Sequence, residues 1–133
     1  MADAPSSPGQ KIFQEHMGFL MSRNLQGLLE NQYAPDAVLI SPFDVVPGKS
    51  PPHIIKAGPE MIDFFTKWLD YHGQMNLDSL YDFAELDDTV FFQAIITSQK
   101  GKWVLGEAWH MNGSGKIDRH YGFAHQIDPD ARP

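Results

Sequence analysis

Two neighbouring segments near the C-terminal end of the chain carry side chains that could transfer protons. Glu107 and His110 lie in the first segment, and His120 lies in the second. A neutral imidazole can accept a proton from carbon or water, and a partner group can orient the ring and stabilise its charged form. We therefore predict His120 as a catalytic base or acid, with Glu107 or His110 as its orienting partner. The alternative is that these histidines are partly buried structural residues, hydrogen-bonded to backbone or solvent.

Asp44 and Tyr81 are candidates for a second polar group near the mouth of a binding pocket. Asp44 lies in a proline-rich loop, and Tyr81 lies in a later segment rich in aromatic residues. A phenol or a protonated carboxyl can polarise a carbonyl oxygen, and such stabilisation contributes much of the rate of a proton-transfer reaction. The alternative for Asp44 is that it caps a turn, which is a common use of aspartate in such loops.

The histidines do not predict a metal site. They are His16, His53, His72, His110, His120 and His125. No two of them have the close spacing of metal ligands on one helix or strand. The chain has no cysteine, which excludes disulfides and thiolate catalysis. We expect neither a metal nor an organic cofactor.

The N-terminal half, which must help to position these residues, is predicted to be mainly helical. Ser7 and Gln10 have the pattern of a capping box, and the residues that follow carry an apolar stripe at helical spacing. Asn24 can cap a second, shorter helix. A third, strongly amphipathic helix is predicted between Gly58 and Gly73.

The rest of the chain is predicted to form strands, because valine, isoleucine and aromatic residues alternate with turn sequences. The predicted strands are 37–41, 53–56, 77–86, 89–99, 102–111 and 116–127. The last four are joined by hairpin turns and therefore form an antiparallel meander. Helices first and a long meander last indicate an α+β domain with its helices on one side of a sheet. We predict one domain over residues 9–127, with flexible termini at 1–8 and 128–133.

Composition excludes several classes of partner. The net charge is −7 and the isoelectric point is near 5.1, so the surface repels nucleic acid. No apolar stretch approaches the roughly 20 residues of a membrane span, and the first ten residues do not have the pattern of a targeting signal. We expect a cytoplasmic protein whose partner is a small hydrophobic molecule.

Short phrases in the chain resemble the nuclear transport factor 2-like superfamily, in particular its SnoaL-like polyketide cyclase and ketosteroid isomerase-like branch. They are Tyr33-Ala34-Pro35-Asp36-Ala37-Val38, Gly58-Pro59-Glu60-Met61-Ile62-Asp63-Phe64-Phe65 and the stretch from Trp109 through Gly115-Lys116-Ile117 to His120. The resemblance covers about residues 10–127. It implies a cone-shaped, curved antiparallel sheet wrapped by three N-terminal helices (a cystatin-like α+β roll), an apolar pocket and a homodimer.

The same resemblance implies acidic catalytic residues at two positions where this chain has other residues. In ketosteroid isomerase-like members an acid near the end of the first strand is the general base, and the matching position here is Ser41, with Asp44 three residues later. In the cyclase branch an aspartate lies two residues after the final-strand histidine, and the matching residue here is Gly122. Asp44 could replace the missing base only if the loop shifts.

Which face of the last two strands lines the pocket is left open by the sequence. The resemblance turns the His120 face inward, whereas the face with Ile117, Tyr121 and Phe123 is the more apolar and would be inward by periodicity alone.

Two functions fit these patterns. The first is a cofactor-free isomerase, cyclase, dehydratase or hydratase that acts on a hydrophobic substrate by general acid–base chemistry. The second is a non-catalytic ligand-binding or dimerisation module, which would have apolar pocket walls and isolated polar groups. For aromatic residues such as Trp68, core packing is the alternative to contact with a ligand. The predicted substrate-binding residues are Ser41, Phe64, Trp68, Tyr81 and Trp109.

Overall fold

The structure is a computed structural model that describes residues 7–130. In this range the helices are α1 (Pro8–Ser22), α2 (Leu25–Gln32) and α3 (Pro59–His72). The strands are β1 (Tyr33–Ser41), β2 (His53–Lys56), β3 (Asn76–Leu86), β4 (Thr89–Ser98), β5 (Gly101–Met111) and β6 (Ile117–Ile127). Most of the termini predicted to be flexible, residues 1–6 and 131–133, lie outside the described residues.

The helix boundaries follow the predicted caps. The Ser7 hydroxyl accepts a hydrogen bond from the Gln10 amide, and the Gln10 side chain accepts one from the Ser7 amide, which confirms the capping box. Asn24 caps α2 by accepting from the Gly27 amide at 3.0 Å. Gly73 ends α3 at a φ of 66°, a conformation that favours glycine.

The six strands form one open sheet in the order β2-β1-β6-β5-β4-β3. The sheet is mixed, because β1 and β6 are parallel whereas all other pairs are antiparallel. The predicted α+β fold with its antiparallel meander is confirmed, and the β1–β6 pair differs from the predicted antiparallel sheet in being parallel. After β2, helix α3 carries the chain to the far edge of the sheet, and the meander then returns strand by strand until β6 meets β1.

The helices cover one face of the sheet, called here the inner face. Its strand residues belong to the main hydrophobic core together with the apolar sides of α1, α2 and α3. Trp109, Phe64, Leu28 and Met61 are among the largest fully buried side chains of that core. The opposite, outer face has no helix on it within the described residues.

A register irregularity decides which face of β6 is inner. Ile117 pairs with Met111 whereas Arg119 pairs with His110, so Asp118 is an extra residue on β6. Ile117 is therefore buried, and beyond the irregularity His120, Gly122 and Ala124 are buried as well. The inward orientation implied by the resemblance is confirmed, and the one favoured by periodicity alone is wrong.

His72, at the end of α3, gives a prediction about stability. It is buried, its Nδ1 lies 2.9 Å from the Ser98 hydroxyl, and burial lowers its pKa from 6.5 to about 4. Between these values the unfolded chain binds a proton that the folded chain does not, so His72 lowers the free energy of unfolding as the pH falls from 6.5 towards 4. His72→Asn is expected to destabilise most at pH 8, with a loss that shrinks towards pH 4 in urea unfolding curves. The exposed His125→Asn is the control, and a loss independent of pH would contradict the prediction.

Candidate active site

A cavity lies between α1, α3 and the inner face of the sheet. Most of its wall is apolar: Phe13, Met17, Leu20, Leu39, Phe64, Phe65, Leu77, Phe92, Ala94, Ile96, Leu105 and Phe123. The remaining lining residues are His16, Ser41, Asp44, Trp68, Glu107, Trp109, His120 and Gly122. Its volume is about 70 Å³, well below the roughly 300–1,000 Å³ of typical ligand pockets. A larger ligand therefore requires movement of partly exposed wall residues such as Met17, Trp68 and Leu77.

Glu107 and His120 form a hydrogen-bonded pair in the cavity wall. Trp109 pairs with His120 across β5 and β6, and Glu107 pairs with Gly122, so the two functional residues are diagonal neighbours on the inner face. His120 Nε2 lies 3.0 Å from Glu107 Oε1. A Cβ atom at position 122 would collide with Glu107 Oε2. Gly122 stands at the position where the resemblance implies an acid. Because it has no side chain, it leaves the space that the Glu107 carboxyl occupies.

Tyr33 extends this pair to a chain of three residues. Its Oη lies 2.7 Å from His120 Nδ1, and both side chains are buried. If the phenol donates to Nδ1, then Nε2 carries the imidazole proton and donates to Glu107 Oε1. Tyr33 was not among the site residues predicted from the sequence, where it appears only in one of the phrases that carry the resemblance. The contact depends on the parallel pairing of β1 with β6, which places residues 87 positions apart side by side.

Asp44 reaches the cavity through a turn at the end of β1. Ser41 is fully buried, and its hydroxyl donates to Asp44 Oδ2 at 2.6 Å. His53 Nε2 lies 2.9 Å from the Asp44 backbone oxygen and ties β2 to this turn. The turn therefore places the Asp44 carboxyl on the cavity wall beside Ser41.

One oxygen of Asp44 has no partner. Oδ1 is buried and lacks a hydrogen bond with any described residue; the Ala124 amide is near enough to lower the pKa slightly but makes no bond of normal geometry. The indole N–H of Trp68 is also buried without a hydrogen bond to a described residue. That of Trp109 makes none of normal geometry there, although it lies near enough to Glu107 to oppose the rise in the pKa of that carboxyl. Because buried polar atoms are nearly always paired, such groups on a cavity wall indicate where a ligand would bind.

Burial keeps most of these groups uncharged. Burial raises the pKa of Glu107 well above the usual value, although the nearby Trp109 side chain opposes this rise. Burial also raises the pKa of Tyr33 well above 10. Burial lowers the pKa of His120 to about 4, against the nearby Asp44 charge, which favours the protonated ring. For Asp44, burial raises the pKa to about 6, the Ser41 hydrogen bond opposes the rise, and Glu107 adds to it. Near pH 7 His120 is therefore neutral, and Asp44 is ionised but has a pKa close enough to take up a proton. The raised pKa of Glu107 favours its protonated carboxyl.

The structure brings most of the predicted site residues together. Ser41, Asp44, Phe64, Trp68, Glu107, Trp109 and His120 all line the cavity. His110 does not, because strand alternation turns Glu107 and Trp109 inward and His110 outward, where its Nδ1 lies 2.6 Å from Asp118. Tyr81 is not among the lining residues either, and its hydroxyl donates to the Gln93 side chain at 3.4 Å.

The sequence analysis also missed His16. His16 was considered only as a metal ligand, although it follows Phe13 by three residues and precedes Leu20 by four, which is the spacing of the buried side of α1.

Among the described residues there is no group of three or more potential ligands that could hold a metal ion. No helix within residues 7–130 has both the length and the apolar character needed to cross a membrane.

Solved structures similar to this one share its fold across nearly the whole chain. A SnoaL-like protein of unknown function from Burkholderia thailandensis is 12% identical, with a TM-score of 0.69 over 93% of this chain and 100% of that chain. An NTF2-like protein of unknown function from Burkholderia pseudomallei is 20% identical, with a TM-score of 0.67 over 93% of each chain. A steroid delta-isomerase from Pseudomonas aeruginosa is 15% identical, with a TM-score of 0.65 over 95% of this chain and 85% of that chain.

The sequence itself gives no match: no family model and no curated protein matches the chain. At identities of 20% or less, the structural similarity establishes the fold rather than the chemistry. The chain has the nuclear transport factor 2-like α+β fold, and its structural neighbours include SnoaL-like proteins and a steroid delta-isomerase.

Proposed function

We propose that the protein is a cofactor-free acid–base catalyst that isomerises, cyclises, dehydrates or hydrates an uncharged, hydrophobic small molecule. The observation that carries this proposal is the Asp44 carboxyl. It is buried in an apolar cavity, its Oδ1 has no partner among the described residues, and its pKa is raised to about 6. A base with a pKa near the working pH is well suited to proton transfer.

Asp44 is a better base here than His120, which the sequence analysis favoured. The pKa of His120 is lowered to about 4, so its neutral ring holds a proton less strongly than the Asp44 carboxylate does. We assign His120 to positioning instead, because its two nitrogens connect Glu107 with Tyr33. The neutral Glu107 carboxyl is the acid that can donate a hydrogen bond to a substrate oxygen as negative charge develops there.

In a simple reaction of this class, Asp44 removes a proton from the carbon next to a carbonyl group. The electron pair of the broken C–H bond forms the enolate, and Glu107 stabilises the enolate oxygen by hydrogen bonding. Asp44 then returns the proton, or in D2O a deuteron that its carboxyl has taken up by exchange with solvent, to the same or another carbon, so water is the only other reactant. That the fold is shared with a steroid delta-isomerase supports this class of reaction.

The absence of cationic residues from the cavity wall supports an uncharged substrate. Among the residues that the structure describes, no lysine or arginine lines the cavity, and the two histidines that do, His16 and His120, have pKa values lowered to about 3 and about 4. A carboxylate or phosphate group would lose its hydration there without gaining a counter-charge. We therefore expect neutral carbonyl or hydroxyl compounds rather than acids or phosphate esters.

The test is deuterium incorporation next to the carbonyl of small cyclic ketones, such as cyclohexanone and 2-tetralone, followed by NMR in D2O. We expect exchange faster than in buffer alone, with kcat/KM falling as the pH drops below about 6, the pKa of Asp44. Binding of these ketones without exchange above the buffer rate would contradict the catalytic proposal. The non-catalytic ligand-binding module would then be the better account, in line with the apolar wall and with Ser41 in place of an acid.

We also propose that the outer face of the sheet binds a second copy of the chain. The register aligns one apolar row across all six strands: Ile54, Ile40, Tyr121, Ala108, Phe91 and Ala84. Ile54 is 66% exposed, Tyr121 42% and Phe91 40%. Since an exposed apolar patch of this extent commonly marks an interface, a two-fold homodimer would bury it in a self-complementary contact.

Sedimentation velocity tests the homodimer. We expect the wild-type protein to sediment as a dimer and Tyr121→Lys to sediment as a monomer, because the lysine places a charge in the middle of the buried row. Met21→Lys is the matched control, since Met21 is 49% exposed but lies on α1, away from this face. A monomeric wild-type protein at all concentrations would rule the interface out.

A further inference from the structure

His16 is a buried histidine of the cavity wall that the proposed reaction does not use. It lies on α1, is 3% exposed and lines the same cavity as Asp44 and Glu107. Its ring centroid lies 4.4 Å from that of Trp109 and 6.0 Å from that of His120. A polar ring in this position needs a partner for each of its nitrogens.

The hydrogen bonds of Gln32 determine which nitrogen of His16 carries the proton. Gln32 Nε2 donates to the Ile12 backbone oxygen at 2.9 Å, and a carbonyl oxygen can only accept. The opposite amide orientation would bring two acceptor oxygens together, so Oε1 is the atom 3.1 Å from His16 Nδ1. Oε1 accepts there, which places the imidazole proton on Nδ1.

His16 Nε2 is consequently an acceptor without a donor. No hydrogen bond within residues 7–130 reaches Nε2, although Gln32 holds the ring by its other nitrogen. Nε2 is not one of the fully buried unpaired atoms, so it faces cavity space that a ligand can enter. Burial, together with the nearby His120, lowers the pKa of His16 to about 3, so Nε2 does not take up a proton near neutral pH. The ring therefore keeps one tautomer, in which the lone pair of Nε2 is available to accept a hydrogen bond.

A hydroxyl group of an uncharged ligand fits this lone pair best. It supplies the missing donor, whereas an ether or ketone oxygen would place two acceptors together, and an anion would lack a counter-charge. The neighbouring Trp109 ring and the apolar wall favour an aromatic or otherwise flat carbon skeleton around that hydroxyl.

We propose that His16 is a ligand-binding residue whose Nε2 accepts a hydrogen bond from a hydroxyl group of the substrate, so that phenols, enols or alcohols are the substrate class. This inference rests on the proposed function for the location of the site. It adds a preference for a hydroxyl donor on the ligand and a recognition residue on α1.

The experiment compares the binding of three small aromatic probes of similar shape by NMR titration. The probes are p-cresol, which has a hydroxyl, 4-methylanisole, in which a methyl group replaces the hydroxyl hydrogen, and the anion 4-methylbenzoate. We expect p-cresol to bind about tenfold more tightly than 4-methylanisole, as one hydrogen bond to a buried group predicts, and 4-methylbenzoate to bind most weakly. In protein with 15N-labelled histidine, the Nε2 resonance of His16 should be of the unprotonated type and should shift with p-cresol but not with 4-methylanisole.

Two variants separate a binding role from a structural one. His16→Phe keeps an aromatic ring next to Trp109 and should bind 4-methylanisole as well as the wild-type protein does, while its preference for p-cresol falls to less than about twofold. Gln32→Leu should reduce the same preference, because the tautomer of His16 is no longer held. An unchanged preference for p-cresol in His16→Phe would overturn the inference.

The proposed function is tested separately by ketone exchange. If His16→Phe loses the preference for p-cresol but no ketone exchange occurs in the wild-type protein, His16 binds the ligand of a non-catalytic module. If exchange occurs and the preference for p-cresol is unchanged, only the role of His16 is wrong.

Discussion

Asp44→Asn is expected to slow deuterium exchange by about 10³-fold, within the range typical of a lost general base. Asparagine has nearly the same shape, and its side-chain oxygen can still accept the hydrogen bond from Ser41. It cannot take up a proton near pH 7, however, so the first step of the proposed reaction loses its acceptor. Steady-state exchange kinetics between pH 5 and pH 9 would measure the effect, and the fall in rate below pH 6 should disappear.

The same substitution is expected to stabilise the protein. The pKa of Asp44 rises from 3.8 to about 6 on folding, so the unfolded chain loses its proton at lower pH than the folded chain. The free energy of unfolding therefore falls as the pH rises through this window, by up to roughly 3 kcal/mol above pH 6. Asp44→Asn removes that loss, and urea unfolding at pH 8 should show a gain of about 1–3 kcal/mol. Lower stability at pH 8 would contradict the raised pKa.

Ser41→Ala provides the matched control for Asp44. It leaves the carboxyl in place but removes the hydrogen bond that lowers its pKa. The pH below which exchange slows should therefore rise, with less than about a tenfold loss at pH 9, where the carboxyl is ionised in either protein. If Asp44→Asn retained exchange, the base would have to be sought in the Glu107–His120 pair.

Gly122→Ala is expected to lower exchange by about 10²-fold, although its side chain performs no chemistry. The new Cβ would occupy the position of Glu107 Oε2, and the carboxyl would have to leave its place beside His120. A displacement of about 1 Å at a reacting group can account for a loss of this size. The free energy of unfolding should fall by about 1–3 kcal/mol, as for other overpacked sites.

Gly106→Ala is the matched control on the adjoining strand. Its Cβ would contact the ring of Phe123, which is 37% exposed and can move. We expect a loss of stability with exchange within about threefold of the wild-type rate, since neither Glu107 nor Asp44 is touched.

A double-mutant cycle with Glu107→Gln tests the cause directly. If alanine at position 122 acts by displacing Glu107, its effect on exchange should largely vanish once Glu107 is replaced. An undiminished effect of Gly122→Ala in that background would show that the loss arises elsewhere in the cavity.

Local sequence signals predicted the elements of this fold well. The capping box at Ser7 and Gln10, the Asn24 cap and the glycine that ends α3 all depend on residues within one turn of each other. The hairpin turns of the meander are equally local, and they defined β3 to β6 to within one residue at each end. The parallel pairing of β1 with β6 has no local signal, because it depends on the route of the whole chain.

The site residues differ in the same way: contacts across a hairpin could be predicted from the sequence, whereas contacts that depend on the parallel β1–β6 pair could not. Glu107 and His120 could be paired from the sequence because one hairpin joins their strands. Tyr33 could not, since its contact with His120 depends on the parallel pair. His16 had a usable signal in its helical spacing with Phe13 and Leu20, but a histidine on an apolar stripe is ordinarily part of the core. The extra residue at Asp118, which sets the inner face of β6, was invisible to strict alternation.

The place of β6 in the sheet has a consequence for how the protein is made. Within residues 7–130 it follows all the other strands in sequence, yet it lies between β1 and β5 and contacts both. Until it emerges from the ribosome, the β1–β2 pair and the β3–β5 meander have no strand between them, and each presents an open edge. Pairing across such long sequence separations is slow, which prolongs the exposure of those edges. The cavity, with His120 in its wall, is therefore completed only after β6 has left the ribosome, and the two open edges stay exposed until then.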